Sequence, residues 1–98
     1  MEGRHGSPEH KQRIDVQIAE LESSGEYTAI YGNRSLHKVG LIGNQRPDII
    51  AFHKNGTIHF WEFASQSQSV GARALALRSK IDIIKQTNPG IQSHFVPW

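Results

Sequence analysis

With 98 residues, of which 37% are apolar and 20% charged, the chain is long enough for one small hydrophobic core and too short for two. The absence of cysteine excludes a disulfide framework and any thiolate metal site, so a metal would have to sit on oxygen or imidazole ligands. A formal charge of +2 and a pI near 9.2 are compatible with a polyanionic partner but do not by themselves require one.

No stretch approaches the roughly 18 consecutive apolar residues that span a membrane, and Met1 to His10 lacks the apolar run of a secretory signal. The expectation is a soluble domain covering residues 1–98 with no membrane partner. Ser7-Pro8-Glu9 is a helix-start signal, with a capping serine, a proline at the first helical position and an acid in the first turn. The predicted helix carries Ile14, Ile18 and Leu21 on one stripe and stops at Ser23-Ser24-Gly25. Tyr27 to Tyr31 is rich in strand formers, and the Gly- and Asn-rich stretch after it predicts an irregular, mobile loop.

Pro47 opens a second strand, Asp48 to His53, which turns at Lys54-Asn55-Gly56 into a third, Thr57 to Ala64. From Val70 the positions Val70, Ala74, Leu77, Ile81 and Ile84 mark the inner face of a second helix that Asn88-Pro89-Gly90 ends. Ile91 to Trp98 reads as a last strand, so the predicted order is helix, strand, strand, strand, helix, strand, without internal repeats.

Two hairpin registers are open, and they differ in what becomes of two acids. A two-residue Asn-Gly turn would pair Lys54 with Thr57 and put Asp48 and Glu62 on opposite faces. A three-residue loop with Gly56 in the left-handed conformation would pair His53 with Thr57 and oppose Asp48 to Glu62, with Ile50, Phe52, Ile58, Phe60, Ala64 and Gln66 on the same face. Like charges set side by side in a sheet repel, and a hard cation between them is the simplest remedy.

Arg4-His5-Gly6-Ser7-Pro8-Glu9, the helix ending at Gly25, Arg46-Pro47-Asp48-Ile49-Ile50-Ala51 and Asn55-Gly56-Thr57-Ile58-His59-Phe60-Trp61-Glu62 together resemble the PD-(D/E)xK nuclease superfamily. The resemblance runs over roughly residues 4–68. It is nearest to archaeal Holliday-junction resolvases in the first helix and hairpin, and extends to small nuclease-toxin domains of bacterial competition systems. What it implies is an α/β fold with a restriction-endonuclease-like αβββαβ core, a mixed four-stranded sheet flanked by helices. It also implies that Asp48 and Glu62 bind Mg²⁺ or Mn²⁺ with the carbonyl of Phe63, and that Glu9 completes the site.

One departure stands out: the family places lysine two residues after the glutamate, where this chain has Ala64. That amine orients the attacking water and offsets charge on the phosphate, so a substitute is needed for hydrolysis. Gln66, one pleat further along, and Arg73, on a helix that also carries Arg78 and Lys80, are the favoured replacements. Arg34, His37, Lys38 and Arg46, with Arg73, are the candidate phosphate-backbone contacts.

Other signals carry less. Glu9 is equally accounted for by the helix dipole, and the histidines show no convincing zinc spacing. Ser65, Ser67 and Ser69 have no partnered base, while Trp61, Phe63, Phe95 and Trp98 read as core or rim packing rather than stacking platforms. The expected function is therefore a metal-dependent endonuclease, with DNA preferred over RNA and tRNA the RNA to test. A resolvase would be a homodimer. A toxin would be secreted within a larger protein, act in the cytoplasm and be neutralised by an immunity protein. The rival expectation, resting on Ala64, is a catalytically inactive nuclease-fold domain that binds nucleic acid or a protein partner.

Overall fold

The structure, a computed structural model, describes residues 8–65 and 71–97. Helix α1 spans Pro8–Ser24, and β1, Tyr27–Gly32, follows at once. The helix stops where Gly25 takes a φ of +70°, a left-handed conformation that a side chain disfavours, with its N–H donating to the carbonyl of Glu22. Strands β2, Ile49–His53, and β3, Ile58–Phe63, precede α2, Gly71–Thr87, and β4, Gln92–Val96. Val70 and Trp98, expected at the start of the second helix and the end of the last strand, lie outside the described residues, as do Ser7, Gln66, Ser67 and Ser69.

The strands form one four-stranded sheet in the order β1-β2-β3-β4. The first two neighbouring pairs are antiparallel and β3 with β4 is parallel, so the sheet is mixed. The parallel pair requires a long crossover, which α2 supplies. The chain is thus α/β with a mixed sheet flanked by helices, in the expected element order.

The hairpin takes the three-residue loop. His53 N–H donates to the Thr57 carbonyl at 2.9 Å, and Gly56 N–H donates to the His53 carbonyl at 3.0 Å. Gly56 has a φ of +94°, and Asn55 Oδ1 accepts from both the N–H and the hydroxyl of Thr57. The ladder runs from Phe52 opposite Ile58 to Ile49 opposite Trp61, the last pair before Asp48 and Glu62.

Both faces of the central strands are covered. Ile49, Ala51, Trp61 and Phe63 pack with Leu21, Ile14 and Ile18 on the α1 side. Ile50 and Phe60 pack with Ile84, Ile91 and Leu36 on the other, with Phe52, Ile58 and Ile81 partly buried against them. Complete burial of each of Ile49, Ile50 and Phe60 contributes about 1.5–3 kcal/mol, which makes the middle of the sheet a rigid platform for what stands at its end.

The segment between β1 and β2 is irregular, as expected, and is tied to the rest of the fold. It contains a 3₁₀ turn, Leu36–Val39, whose Leu36 is wholly buried in the second core. Leu36 N–H donates to the Gln45 carbonyl, and Asn88 at the end of α2 both donates to and accepts from the backbone of Ile42, each bond at 2.9 Å. The glycines there mark turns, as their composition indicated; the segment is anchored by Leu36 in the second core, with Val39 and Leu41 packed against it, and by bonds from Asn88 and Lys80 to its backbone. No helix among the described residues is long and apolar enough to cross a membrane.

Candidate active site

Asp48 follows the buried Pro47 and stands just ahead of β2, while Glu62 lies near the end of β3. One oxygen of Asp48, Oδ2, accepts the Phe63 N–H at 2.8 Å, and the other, Oδ1, lies 3.8 Å from His10 Nε2. Glu62 is 2% exposed. Lys80 of α2 brings Nζ to 2.9 Å from Glu62 Oε2 and donates a hydrogen bond to the Arg46 carbonyl, also at 2.9 Å. The contact with Glu62 is a close ion pair between a buried carboxyl and a partly exposed ammonium.

A carboxylate taken out of water resists ionisation. Burial accordingly pushes Glu62 up to about 7; nearby Asp48 adds to the rise, and the Lys80 ammonium opposes it without cancelling it. The result is a carboxyl that changes charge near neutrality, beside an aspartate and a cation.

Asp48 and Glu62 come together with the backbone of Phe63, whose N–H fixes one Asp48 oxygen. Glu9 lies on the exposed side of α1, along a groove shared with Gln12, Val16 and Glu20; the α1 side chain that reaches Asp48 is His10. Ala64 is wholly buried and brings no cation of its own; its carbonyl accepts from the Arg13 guanidinium of α1 at 3.2 Å. Gln66 lies outside the described residues. Arg34, His37, Lys38, Arg46 and Arg73 are exposed, with the Arg34 guanidinium 5.9 Å from the centre of the Tyr31 ring.

Two site residues escaped the favoured reading. Lys80 stood among three cations on the second helix with nothing in the spacing to single it out. His10 had a signal: it extends the Ile14, Ile18 and Leu21 stripe back by one turn and is buried on that inner face.

A second polar cluster occupies the α1 side of the sheet. His59 Nδ1 and His94 Nε2 share a hydrogen bond at 2.9 Å, His59 Nε2 bonds the Thr57 hydroxyl, and Trp61 stacks on His94 with ring centres 4.5 Å apart. Burial holds both histidines below the usual range, and for His59 the neighbouring His94 and His53 lower it further. Among the described residues no three or more His, Asp or Glu side chains gather as a metal-binding group.

Neither a protein-family model, nor a curated protein, nor a solved structure matches the chain.

Proposed function

We propose that this chain is a metal-dependent endonuclease of the PD-(D/E)xK type, hydrolysing phosphodiester bonds of nucleic acid, with DNA preferred over RNA. The observation that carries the reading is Lys80 beside Glu62 at 2.9 Å, with Asp48, one residue ahead of β2, near the same carboxyl. Two acids and a lysine meet in space although the lysine is absent from its usual place in the chain. The water-orienting role expected of Gln66 or Arg73 falls instead to the Lys80 amine, on α2.

The donors suit a hard divalent cation, since two carboxylates stand close together, Glu62 buried and Asp48 with one oxygen held by the Phe63 N–H. Asp48, Glu62 and the Phe63 carbonyl would hold Mg²⁺ or Mn²⁺. Such an ion polarises the phosphodiester and makes water a competent nucleophile near neutral pH. The chain's own groups do the positioning. Phe63 N–H sets the Asp48 rotamer, His10 flanks its other oxygen, and Lys80 places positive charge where phosphate charge grows.

A second reading is supported by the same ion pair: Lys80 partly neutralises Glu62 without any metal, as expected of a nuclease fold retained only for binding. Incubation of the protein with supercoiled plasmid, branched DNA and total tRNA, each in Mg²⁺, Mn²⁺ or EDTA, separates the two. The nuclease reading expects metal-dependent cleavage that Asp48→Ala and Glu62→Ala abolish. Salt-sensitive binding with no product in any metal would leave the binding module instead.

A further inference from the structure

Phe95 is the one aromatic residue among the exposed large apolar side chains of the described residues, at 49% exposure. It sits on β4, at the edge of the sheet, in register with Glu62 on β3. Register partners on this parallel pair share a face: His94 and Trp61 stack on each other, and Val96 packs in the same α1-side cluster as Phe63. Phe95 therefore stands on the face of Glu62, one strand away, a spacing of about 4.8 Å.

An apolar ring left in water on the strand next to Glu62 has no role in the core. A nucleotide whose phosphate sits over the cation that Asp48 and Glu62 would hold carries its base a sugar's width from that phosphate, and a base has an apolar face that stacks on an aromatic ring. Inside a continuous duplex both faces of each base are covered by its neighbours, so such stacking needs a base that is unpaired or turned out.

We infer that Phe95 is the stacking platform for an unpaired base flanking the phosphate held at Asp48 and Glu62, and hence that the substrate class is single-stranded, looped or branched nucleic acid. The inference rests on the nuclease reading for the position of the phosphate. It gives Phe95 a contact with substrate and no part in the bond-breaking step.

The test is fluorescence anisotropy of labelled DNA oligonucleotides in Ca²⁺, with cleavage in Mg²⁺ measured in parallel, for the wild type, Phe95→Ala, Phe95→Leu and Phe95→Trp. The single strands include a set with one abasic position moved along the chain; a matched duplex is the control. Thermal melts establish that each variant is folded. Phe95→Ala and Phe95→Leu are expected to weaken single-strand binding roughly ten- to hundredfold, Phe95→Trp to retain it, and duplex binding to change little. One abasic position should bring the wild type down to the level of Phe95→Ala and leave that variant unaffected. Cleavage by the wild type with all variants binding intact and abasic strands alike would overturn the stacking role and leave the nuclease standing. Phe95-dependent binding without cleavage in any metal would remove the nuclease and keep the platform. Absence of both binding and cleavage would overturn both.

Discussion

Lys80 Nζ lies 2.9 Å from Oε2 of Glu62 and donates to the backbone carbonyl of Arg46, so one ammonium on α2 joins a buried carboxylate on β3 to the segment leading into Asp48. Fold and site therefore share a contact.

Replacing Lys80 by Met should remove the charge and keep most of the aliphatic stem. The loss leaves Glu62 buried without its counter-charge, but Lys80 is 31% exposed and water screens part of the effect, so a stability cost of about 1–3 kcal/mol is expected. On the proposed reading, kcat should fall roughly 10²- to 10³-fold, the scale for losing one group that stabilises developing charge. Urea denaturation and cleavage rates measure the two effects separately. Full activity in Lys80→Met would remove the lysine from the chemistry.

The Glu62 carboxyl, pushed from 4.5 to about 7 by burial and by Asp48 against the pull of Lys80, ties metal-free stability to pH. Between those values the folded state holds a proton that the unfolded chain has released. Stability from this group is thus present at low pH and lost as pH rises through about 7. Glu62→Gln stays neutral throughout, so its stability relative to wild type should grow from pH 4.5 to 7 and then level off, by up to roughly 3 kcal/mol. A pH-independent difference between the two denaturation series would place the carboxyl in its ordinary range.

The His59 and His94 pair acts with the opposite sign. Both rings are held below 6.5, chiefly by burial, so on acidification the unfolded chain takes up protons first and stability falls as pH drops below that value. His94→Phe keeps a ring against Trp61 and removes one titrating partner. Its urea midpoint should fall less steeply between pH 7 and 5 than that of the wild type, and an equal slope would mean that the pair titrates alike in both states.

Leu36→Ala tests whether the segment between β1 and β2 belongs to the core. The leucine is fully buried, so truncation should cost about 2–5 kcal/mol. Ile42→Ala, in the same segment at 64% exposure, should change stability by no more than about 0.5 kcal/mol. Equal, small effects in chemical denaturation would show the segment to be detached from the core.

Local chemistry made much of this protein legible from the sequence. Proline and an acid at the start of α1, glycine at its end, and Asn55-Gly56 at the turn govern residues within a few positions of themselves, so the helix limits and the place of the turn follow from short-range sterics, while the choice between the two hairpin registers came from the structure. That register brings Asp48 near Glu62. Which cation attends them was open, because Arg73, Arg78 and Lys80 share one helix and only the docking of α2 selects Lys80. The burial of His10 against Asp48, and of Leu36 under the second core, likewise depends on elements distant in sequence. Phe95 reads as packing in an alternating strand; its exposure beside Glu62 follows from β4 taking the edge of the sheet in parallel register, a choice made by the crossover through α2.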